Sequence, residues 1–322
     1  MSAKQQWLKV PSKHFYIGGL PFTHGVQWHR FSDLQTAALI EEVRKQSRFP
    51  AGAMIRFYSD TGSLRLKISA LSPAKESGVD LVVDGDLWRT VRLSTDKNEI
   101  EFFKNIEREY RLFELYLPGD QAISLVEIGV DVACSIEPAT ASEEVPSNVF
   151  YGSSIVQGAG SKLSCMNYPS IIARKLGTPS INFGFYGAGR GELEVVSEIL
   201  KVPAQTIVFD LGKSFGNQSA EIYRKMLQQA RDTQPDARLV CVTPIYCLRE
   251  RYDTQFREFS HVLRTKFSEQ SALISGVTVI DGLQLLGEHD WACFSPDGLH
   301  PNEWGYARIA DRMIAKLQPI NH

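Results

Sequence analysis

Residues 149–158, VFYGSSIVQG, are the stretch most indicative of the fold. In it an apolar run passes through a Gly-Ser-Ser turn into a second apolar segment. This pattern predicts a buried strand, then a tight turn, then the start of a helix. Residues that follow the strands of an open α/β sheet lie at its carboxyl edge, where functional groups collect. The stretch therefore predicts both a sheet and a candidate reactive serine, Ser153 or Ser154.

Strand-like and helix-like segments alternate from this stretch to the end of the chain. The alternation predicts βαβ units, with a parallel sheet that helices cover on both faces. The strand candidates are residues 149–151, 180–183, 206–211, 238–242 and 277–280. The helix candidates are residues 169–176, 192–200, 220–232, 254–271 and 303–317.

The first 140 residues have a different pattern, with short strand-like pieces separated by turn residues. Residues 53–59 and 63–70 flank Asp-Thr-Gly, and residues 81–83 and 87–93 flank Asp-Gly-Asp, so each pair predicts a β-hairpin. One helix-like stretch, residues 34–46, follows Asp33 as a possible N-cap. Several short strands with regular turns predict an antiparallel β-sandwich.

The boundary between the two patterns is polar. Residues 137–148, EPATASEEVPSN, contain two prolines and little apolar surface, which is typical of a linker. A chain of 322 residues is also long enough for about two domains. The sequence predicts a β-sandwich accessory domain over residues 1–140, a linker over 141–147 and an α/β domain over 148–322.

Composition excludes several classes of protein. Hydrophobic residues make up 43% and charged residues 22% of the chain, as in ordinary globular proteins. The formal net charge of -2 provides no basic field for nucleic acid or anionic lipid. The apolar runs are far shorter than the ~20 residues of a membrane helix. We therefore expect no nucleic-acid partner and no membrane span.

The cysteines and the N-terminus favour a reducing cytoplasm. Five cysteines leave one unpaired, and none has C-x-x-C spacing, so we expect neither a disulfide framework nor a zinc site. The first eleven residues contain no apolar core typical of a secretory signal. The cysteines are Cys134, Cys165, Cys241, Cys247 and Cys293.

Four polar segments follow the predicted strands. They are residues 152–158 (GSSIVQG), 182–192 (NFGFYGAGRGE), 210–217 (DLGKSFGN) and 295–302 (SPDGLHPN). In the last segment, Asp297 stands three residues before His300. An aspartate at this spacing can hold one imidazole nitrogen and leave the other free to take a proton from a serine. The remaining histidines lack a comparable partner in a loop fixed by Pro and Gly.

Together these segments resemble the blocks of the SGNH hydrolases, also called the GDSL esterase superfamily. Gly152-Ser153-Ser154 stands where many members have Gly-Asp-Ser, and Asp297-Gly298-Leu299-His300-Pro301 matches the last block. Between them, Gly187 and the segment Gly212-Lys213-Ser214 match the second and third blocks. The resemblance implies a flavodoxin-like three-layer α/β domain with a parallel sheet.

The N-terminal half resembles the β-sandwich, jelly-roll-like domain that precedes the catalytic domain in one branch of this superfamily. That branch carries a Gly-x-Asp-Leu-Tyr signature. Gly78-Val79-Asp80-Leu81 matches it, and Val82 replaces the tyrosine. Members of the branch include esterases that act on carbohydrate esters and an acyltransferase that acts on natural products.

The resemblance also implies the catalytic residues. Ser154 is the nucleophile, with Ser153 as the competing candidate, His300 is the base and Asp297 orients it. The oxyanion hole consists of the N–H groups of Ser154 and Gly187 and a third donor. Most members have Asn as that donor, whereas Ser214 stands there in this chain, so Asn217 is the alternative. No metal or organic cofactor is implied.

Three functional hypotheses remain open at this stage. The first is a serine esterase that removes short acyl groups from a carbohydrate or small metabolite. The second is a cytoplasmic acyltransferase that passes the acyl group to a small-molecule alcohol or amine. The third is a degenerate scaffold with a binding function, in which Trp7, Trp28 and Trp88 form a sugar platform.

Overall fold

A computed structural model describes residues 4–73, 76–140 and 146–317. Most of the predicted linker, residues 141–145, lies outside this range. The strands are β1 Gln5–Lys9, β2 Tyr16–Gly18, β3 Met54–Ser59, β4 Leu64–Ala70, β5 Val79–Val83, β6 Asp86–Val91, β7 Asp96–Phe103, β8 Arg111–Tyr116, β9 Ile123–Asp131, β10 Ile136–Pro138, β11 Ser147–Gly152, β12 Ser180–Gly184, β13 Ala204–Asp210, β14 Arg238–Val242 and β15 Val277–Ile280. The helices are α1 Asp33–Thr36, α2 Glu41–Ser47, α3 Ser154–Gln157, α4 Tyr168–Leu176, α5 Leu193–Ile199, α6 Ala220–Thr233, α7 Arg249–Tyr252, α8 Thr254–Ala272, α9 Gly282–Leu285 and α10 Glu303–Leu317.

The N-terminal part contains two antiparallel sheets, which confirms the predicted sandwich. One sheet has the strand order β1-β9-β4-β7, and the other has β10-β3-β8-β5-β6, with β2 beside β3. Strand β4 shows how the sequence builds it, because Leu64, Leu66 and Ile68 are buried while the residues between them are partly exposed. These leucines and isoleucine join residues of β3, β8 and β9 in one hydrophobic core.

One of the two predicted hairpins is confirmed and the other is wrong. β5 and β6 pair antiparallel across Asp84 and Gly85, whose φ angles of 50° and 92° suit a two-residue hairpin turn. By contrast, β3 and β4 enter opposite sheets. The connection between them is buried and crosses the sandwich, and the N–H of Gly62 in it donates to Asp131 Oδ2 over 2.9 Å.

The C-terminal part is a five-stranded parallel sheet in the order β12-β11-β13-β14-β15, which confirms the flavodoxin-like arrangement. Side chains alternate across it: Val149 and Tyr151 of β11 pack into one core, and Phe150 packs into the other. Helices α5, α6 and α8 contribute to the first core, and α4 and α10 contribute to the second. The result is three layers with all strand carboxyl ends at one edge.

The helix-like stretch at residues 34–46 forms two short helices, α1 and α2. The N-cap of α1 is Ser32, not Asp33, because Ser32 Oγ accepts from Gln35 N while the Gln35 side chain accepts from Ser32 N. Leu39, between the helices, and Val43 pack into a core of the parallel sheet. This N-terminal segment therefore completes the hydrophobic core of the C-terminal part.

Polar contacts also join the two parts. The buried Arg30 guanidinium donates to the carbonyls of Asn182 and Gly184 and lies over the Phe185 ring. The Gly-x-Asp motif makes a second junction, where Asp80 Oδ2 accepts from Cys165 N over 2.7 Å and the Gly78 carbonyl accepts from Ser164 Oγ. The two parts thus meet through buried, specific hydrogen bonds.

The tryptophans of the suggested sugar platform are not grouped. Trp28 is buried in the sandwich core, whereas Trp7 and Trp88 lie on strands of different sheets. All five cysteines are free thiols. Within residues 4–73, 76–140 and 146–317, no helix has the length and apolar character needed to span a bilayer.

Candidate active site

Ser154 lies at the carboxyl edge of the parallel sheet, at the turn from β11 into α3. Ser153 is the N-cap of this helix, with φ −102° and ψ −140°. As the first helical residue, Ser154 has a backbone N–H with no acceptor inside the helix. Its side chain is nearly buried, at 8% exposure. The serine hydroxyl and a free N–H are thereby presented on the same side of the turn.

His300 and Asp297 complete a hydrogen-bonded chain with Ser154. His300 Nε2 lies 2.9 Å from Ser154 Oγ, and His300 Nδ1 lies 2.6 Å from Asp297 Oδ2. With the Nδ1 proton donated to the carboxylate, Nε2 is left to accept the serine proton. The structure therefore brings together the three residues that the sequence predicted. Of the two candidate serines, the one hydrogen-bonded to His300 is Ser154.

The Asp297 carboxylate is held in its charged form. Burial alone would raise its pKa, but donors from His300, Ser295 and Leu299 hold the pKa well below its usual range. Oδ1 accepts from the N–H groups of His300 and Leu299 and from Ser295 Oγ, at distances of 2.7–3.0 Å. These bonds leave Oδ2 for the imidazole and fix the rotamer of the carboxylate.

Two glycines allow the loops to converge on this chain of residues. A Cβ on Gly152 would lie 2.0 Å from the Asp210 carbonyl, at the end of the neighbouring strand β13. A Cβ on Gly160, whose φ is +90°, would lie 2.7 Å from His300 Cβ. A larger residue at Gly152 would push the serine turn away from β13, and a larger residue at Gly160 would push its own loop away from His300.

The predicted oxyanion donors differ in where they lie relative to the cavity beside Ser154. Gly187 has a φ of +68° in the turn after β12, which a glycine adopts without strain. Ser214 is half-buried and lines a cavity together with Ser154 and His300. Asn217 is exposed and does not line that cavity. Of the two candidates for the third donor, the structure places only Ser214 beside the serine.

Two cavities flank His300. The smaller, about 50 Å³, is lined by the serine turn, the Gly212–Ser214 segment, Pro244, Ile245 and Leu299. The larger, about 170 Å³, lies between the two parts of the chain and is lined by Gln46, Glu76, Asp120, Gln157 and Tyr186, among others. His300 borders both, so its ring separates two spaces of different size.

Sequence reasoning missed two features of this site. Tyr186 stacks on His300, with ring centroids 5.6 Å apart, from within the glycine-rich loop that the sequence did single out. Lys213 lines the smaller cavity and pairs with Glu250 over 3.1 Å. An aromatic residue beside the family glycine was a usable signal for Tyr186, whereas nothing local indicates the Lys213 pairing.

Asp210 is a buried carboxyl beneath the site, at the end of β13. Burial raises its pKa to about 6, although a hydrogen bond from Tyr168 and the charge of Lys213 oppose the rise. Tyr168 Oη lies 3.2 Å from Asp210 Oδ2. The described parts of the chain contain no group of three or more His, Cys, Asp or Glu side chains able to hold a metal ion.

Two family profiles together match most of the chain. Residues 147–318 match the GDSL-like lipase/acylhydrolase family. Residues 5–136 match the GxDLY family, which is described as the N-terminus of SGNH-hydrolase-type esterases. A search of curated protein sequences finds no match.

Solved structures share the whole two-part architecture. A protein from Bacteroides ovatus described as a GDSL-like lipase superposes with a TM-score of 0.86 at 22% identity, over 98% of this chain and 97% of that one. A salicylyl-acyltransferase from a tetracycline biosynthetic pathway gives 0.79 at 18% identity, over 97% of each chain.

A family two carbohydrate esterase from Clostridium thermocellum, in complex with cellohexaose, is a further neighbour. It gives a TM-score of 0.60 at 14% identity, over 84% of this chain and 96% of that one. At such identities these likenesses establish the fold.

Proposed function

The chain belongs to the GDSL-like lipase/acylhydrolase family, and from that premise we propose that it is a serine esterase acting through an acyl-enzyme on Ser154. The observation that carries the proposal is the unbroken chain from Ser154 Oγ through His300 to Asp297. A buried serine hydroxyl is a weak nucleophile unless an adjacent base removes its proton. Here the base is in contact and is itself oriented by a charged carboxylate.

The proposed reaction has two steps. Ser154 Oγ attacks the ester carbonyl while His300 Nε2 takes the hydroxyl proton, and the carbonyl oxygen becomes an oxyanion. The N–H groups of Ser154 and Gly187 and the Ser214 hydroxyl stabilise that charge. His300 then protonates the leaving alcohol, and the acyl group stays on Ser154 until water, activated by the same histidine, releases the free acid.

We propose a short acyl group on a carbohydrate or other small metabolite as the substrate. The cavity beside Ser154 is small, and the larger cavity on the other side of His300 suits the alcohol portion. The bound cellohexaose of the carbohydrate-esterase neighbour supports a hydroxyl-rich alcohol as a candidate.

The nucleophile is tested with a fluorophosphonate probe and p-nitrophenyl acetate. Ser154→Ala should lose both the covalent label and hydrolysis, since Ser154 is the serine within hydrogen-bond distance of His300 Nε2 among the residues that the structure describes. Ser153→Ala is the matched control and should keep the label. Labelling that persists in a folded Ser154→Ala protein, or its loss only in Ser153→Ala, contradicts the assignment.

A second candidate function is acyl transfer to an alcohol or amine. It is favoured by Ser214, because a shorter side chain where relatives carry Asn weakens a donor for the water reaction. The salicylyl-acyltransferase neighbour has the same architecture. The products separate the two functions: with an added alcohol or amine acceptor, an esterase yields the free acid and a transferase yields a new ester or amide.

A further inference from the structure

A buried cluster of three charged side chains lies beside the smaller cavity. Lys213 Nζ is 3.1 Å from Glu250 Oε1, and Arg264 Nη1 is 2.9 Å from Glu250 Oε2. The side chains are 12%, 2% and 12% exposed for Lys213, Glu250 and Arg264. Two cations therefore share one carboxylate. The charge of Lys213 also acts on the buried carboxyl of Asp210.

The cluster holds the loop that follows β14. The Lys213 ammonium donates to the carbonyl of Ile245, and Arg264 Nε donates to the carbonyl of Pro244 over 2.7 Å. Glu250 Oε1 also accepts from the N–H of Cys247 over 3.1 Å. The backbone of residues 244–247 is therefore hydrogen-bonded to charged side chains at three of its four positions.

This loop and Lys213 form walls of the cavity beside Ser154. Lys213 belongs to the short Gly212–Phe215 turn, and its side chain reaches from there to Ile245, so its methylene stem crosses the space between them. Ile245 is 3% exposed and well packed. A cavity of about 10–15 Å³ holds one water molecule, so the 50 Å³ here accommodates only a few heavy atoms.

We propose that Lys213 determines the length of the acyl chain accepted at Ser154. Its stem forms one wall of the acyl pocket, and its ammonium holds the opposing wall at the Ile245 carbonyl. The pocket then takes an acetyl group and rejects longer chains. This inference rests on the proposed esterase function and adds to it the residue that sets acyl specificity.

The test compares p-nitrophenyl acetate, butyrate and hexanoate as substrates of wild type, Lys213→Ala and Lys213→Met. Wild type should prefer acetate. One methylene in a hydrophobic pocket changes selectivity by about 10–200-fold, so Lys213→Ala should raise the hexanoate-to-acetate ratio of kcat/KM at least tenfold. Lys213→Met keeps the stem and loses the ammonium, so it should raise the ratio less. Lys225→Ala, at an exposed lysine that is also paired with a glutamate, is the matched control.

Folding of the variants does not obscure the outcome. Removing Lys213 leaves Glu250 paired with Arg264 and leaves Asp210 hydrogen-bonded to Tyr168, so each buried carboxyl keeps a partner. Ile245→Ala changes the opposing wall directly and should relax the preference as well. An unchanged ratio in both Lys213→Ala and Ile245→Ala, with Ser154-dependent hydrolysis intact, overturns this proposal alone. A wild-type preference for hexanoate overturns it together with the proposed short acyl group. Absence of any Ser154-dependent hydrolysis in the wild type overturns the proposed function as well.

Discussion

Ser214 stands at the position where, by the resemblance to the family, most members carry Asn, and it lines the same cavity as Ser154. A serine side chain is shorter than an asparagine side chain, so its hydrogen bond to an oxyanion is longer or passes through water. The rate of ester hydrolysis should therefore respond to this single position.

We predict that Ser214→Asn raises kcat for p-nitrophenyl acetate hydrolysis, by up to ~10²-fold, because it restores a full oxyanion donor. Asn217→Ala is the control and should change kcat by less than about twofold, since Asn217 is exposed and lies outside the cavity. A large loss in Asn217→Ala, with no gain in Ser214→Asn, would show that Asn217 supplies the third donor.

Asp210 makes a second prediction at the residue scale, on the pH dependence of stability. Its folded-state pKa of about 6 lies above the value of about 3.9 of an unfolded aspartate. Between these values the folded state holds more protons, so the contribution of Asp210 to the free energy of unfolding falls as pH rises. The change between pH 4 and pH 7 is about 2 kcal/mol, because an aspartate in the unfolded chain is only about half charged at pH 4.

The check is urea unfolding of wild type and Asp210→Asn at several pH values. The stability of wild type relative to the variant should fall by about 2 kcal/mol from pH 4 to pH 7, because the amide does not titrate. A difference that is constant over this range would mean that Asp210 is charged in the folded protein throughout.

At the scale of elements, β4 depends on the side of the strand that carries its apolar residues. Leu66 is fully buried between the two sheets of the sandwich. We predict that Leu66→Asp lowers the free energy of unfolding by more than ~4 kcal/mol, because it buries an unpaired charge. Leu125→Asp on β9 is the control, and its cost should stay below about 1 kcal/mol because Leu125 is 42% exposed. Thermal melting of both variants compares them directly, and equal melting temperatures would contradict the register of β4.

At the scale of the whole molecule, the junction between the two parts of the chain links stability to activity. Burial lowers the pKa of Arg30 to about 9. The Arg30 guanidinium donates to the Gly184 carbonyl from the N-terminal part, three residues before Gly187. The loop that carries a proposed oxyanion donor is thus tied to the other half of the molecule. Stability and activity should be coupled through this one side chain.

We predict that Arg30→Ala lowers the free energy of unfolding by at least about 3 kcal/mol, since it leaves a cavity and buried carbonyls without donors. It should also lower kcat, because the Gly184–Gly187 segment loses its support. Arg44→Ala, at an exposed arginine of α2, should change stability by no more than about 0.5 kcal/mol. Urea unfolding and p-nitrophenyl acetate kinetics check both parts. Wild-type kcat in Arg30→Ala would show that the junction has a structural function only.

Local patterns in the sequence predict the order of the elements and the segments that form the site. The strands β11 to β15 were predictable because buried strands and amphipathic helices leave local periodicities, and the turns after them carry glycine. The spacing of Asp297 and His300 is also local, and so is their pairing. The hydrogen bond from the Ser154 hydroxyl to His300 Nε2 is expected from strand order, since carboxyl ends of parallel strands share one edge.

Contacts between residues that lie far apart in the chain are visible in the tertiary structure and not in local sequence patterns. The pattern of β3 and β4 suits a hairpin as well as two opposed sheets, and burial of their connection selected the sheets. Leu39 and Val43 belong to the N-terminal part of the chain, yet they pack into a core formed by residues more than 100 positions away. Lys213, Glu250 and Arg264 show no shared pattern along the chain. Their pairing arises from burial, because a charge removed from water must find its counter-charge wherever the fold brings one close.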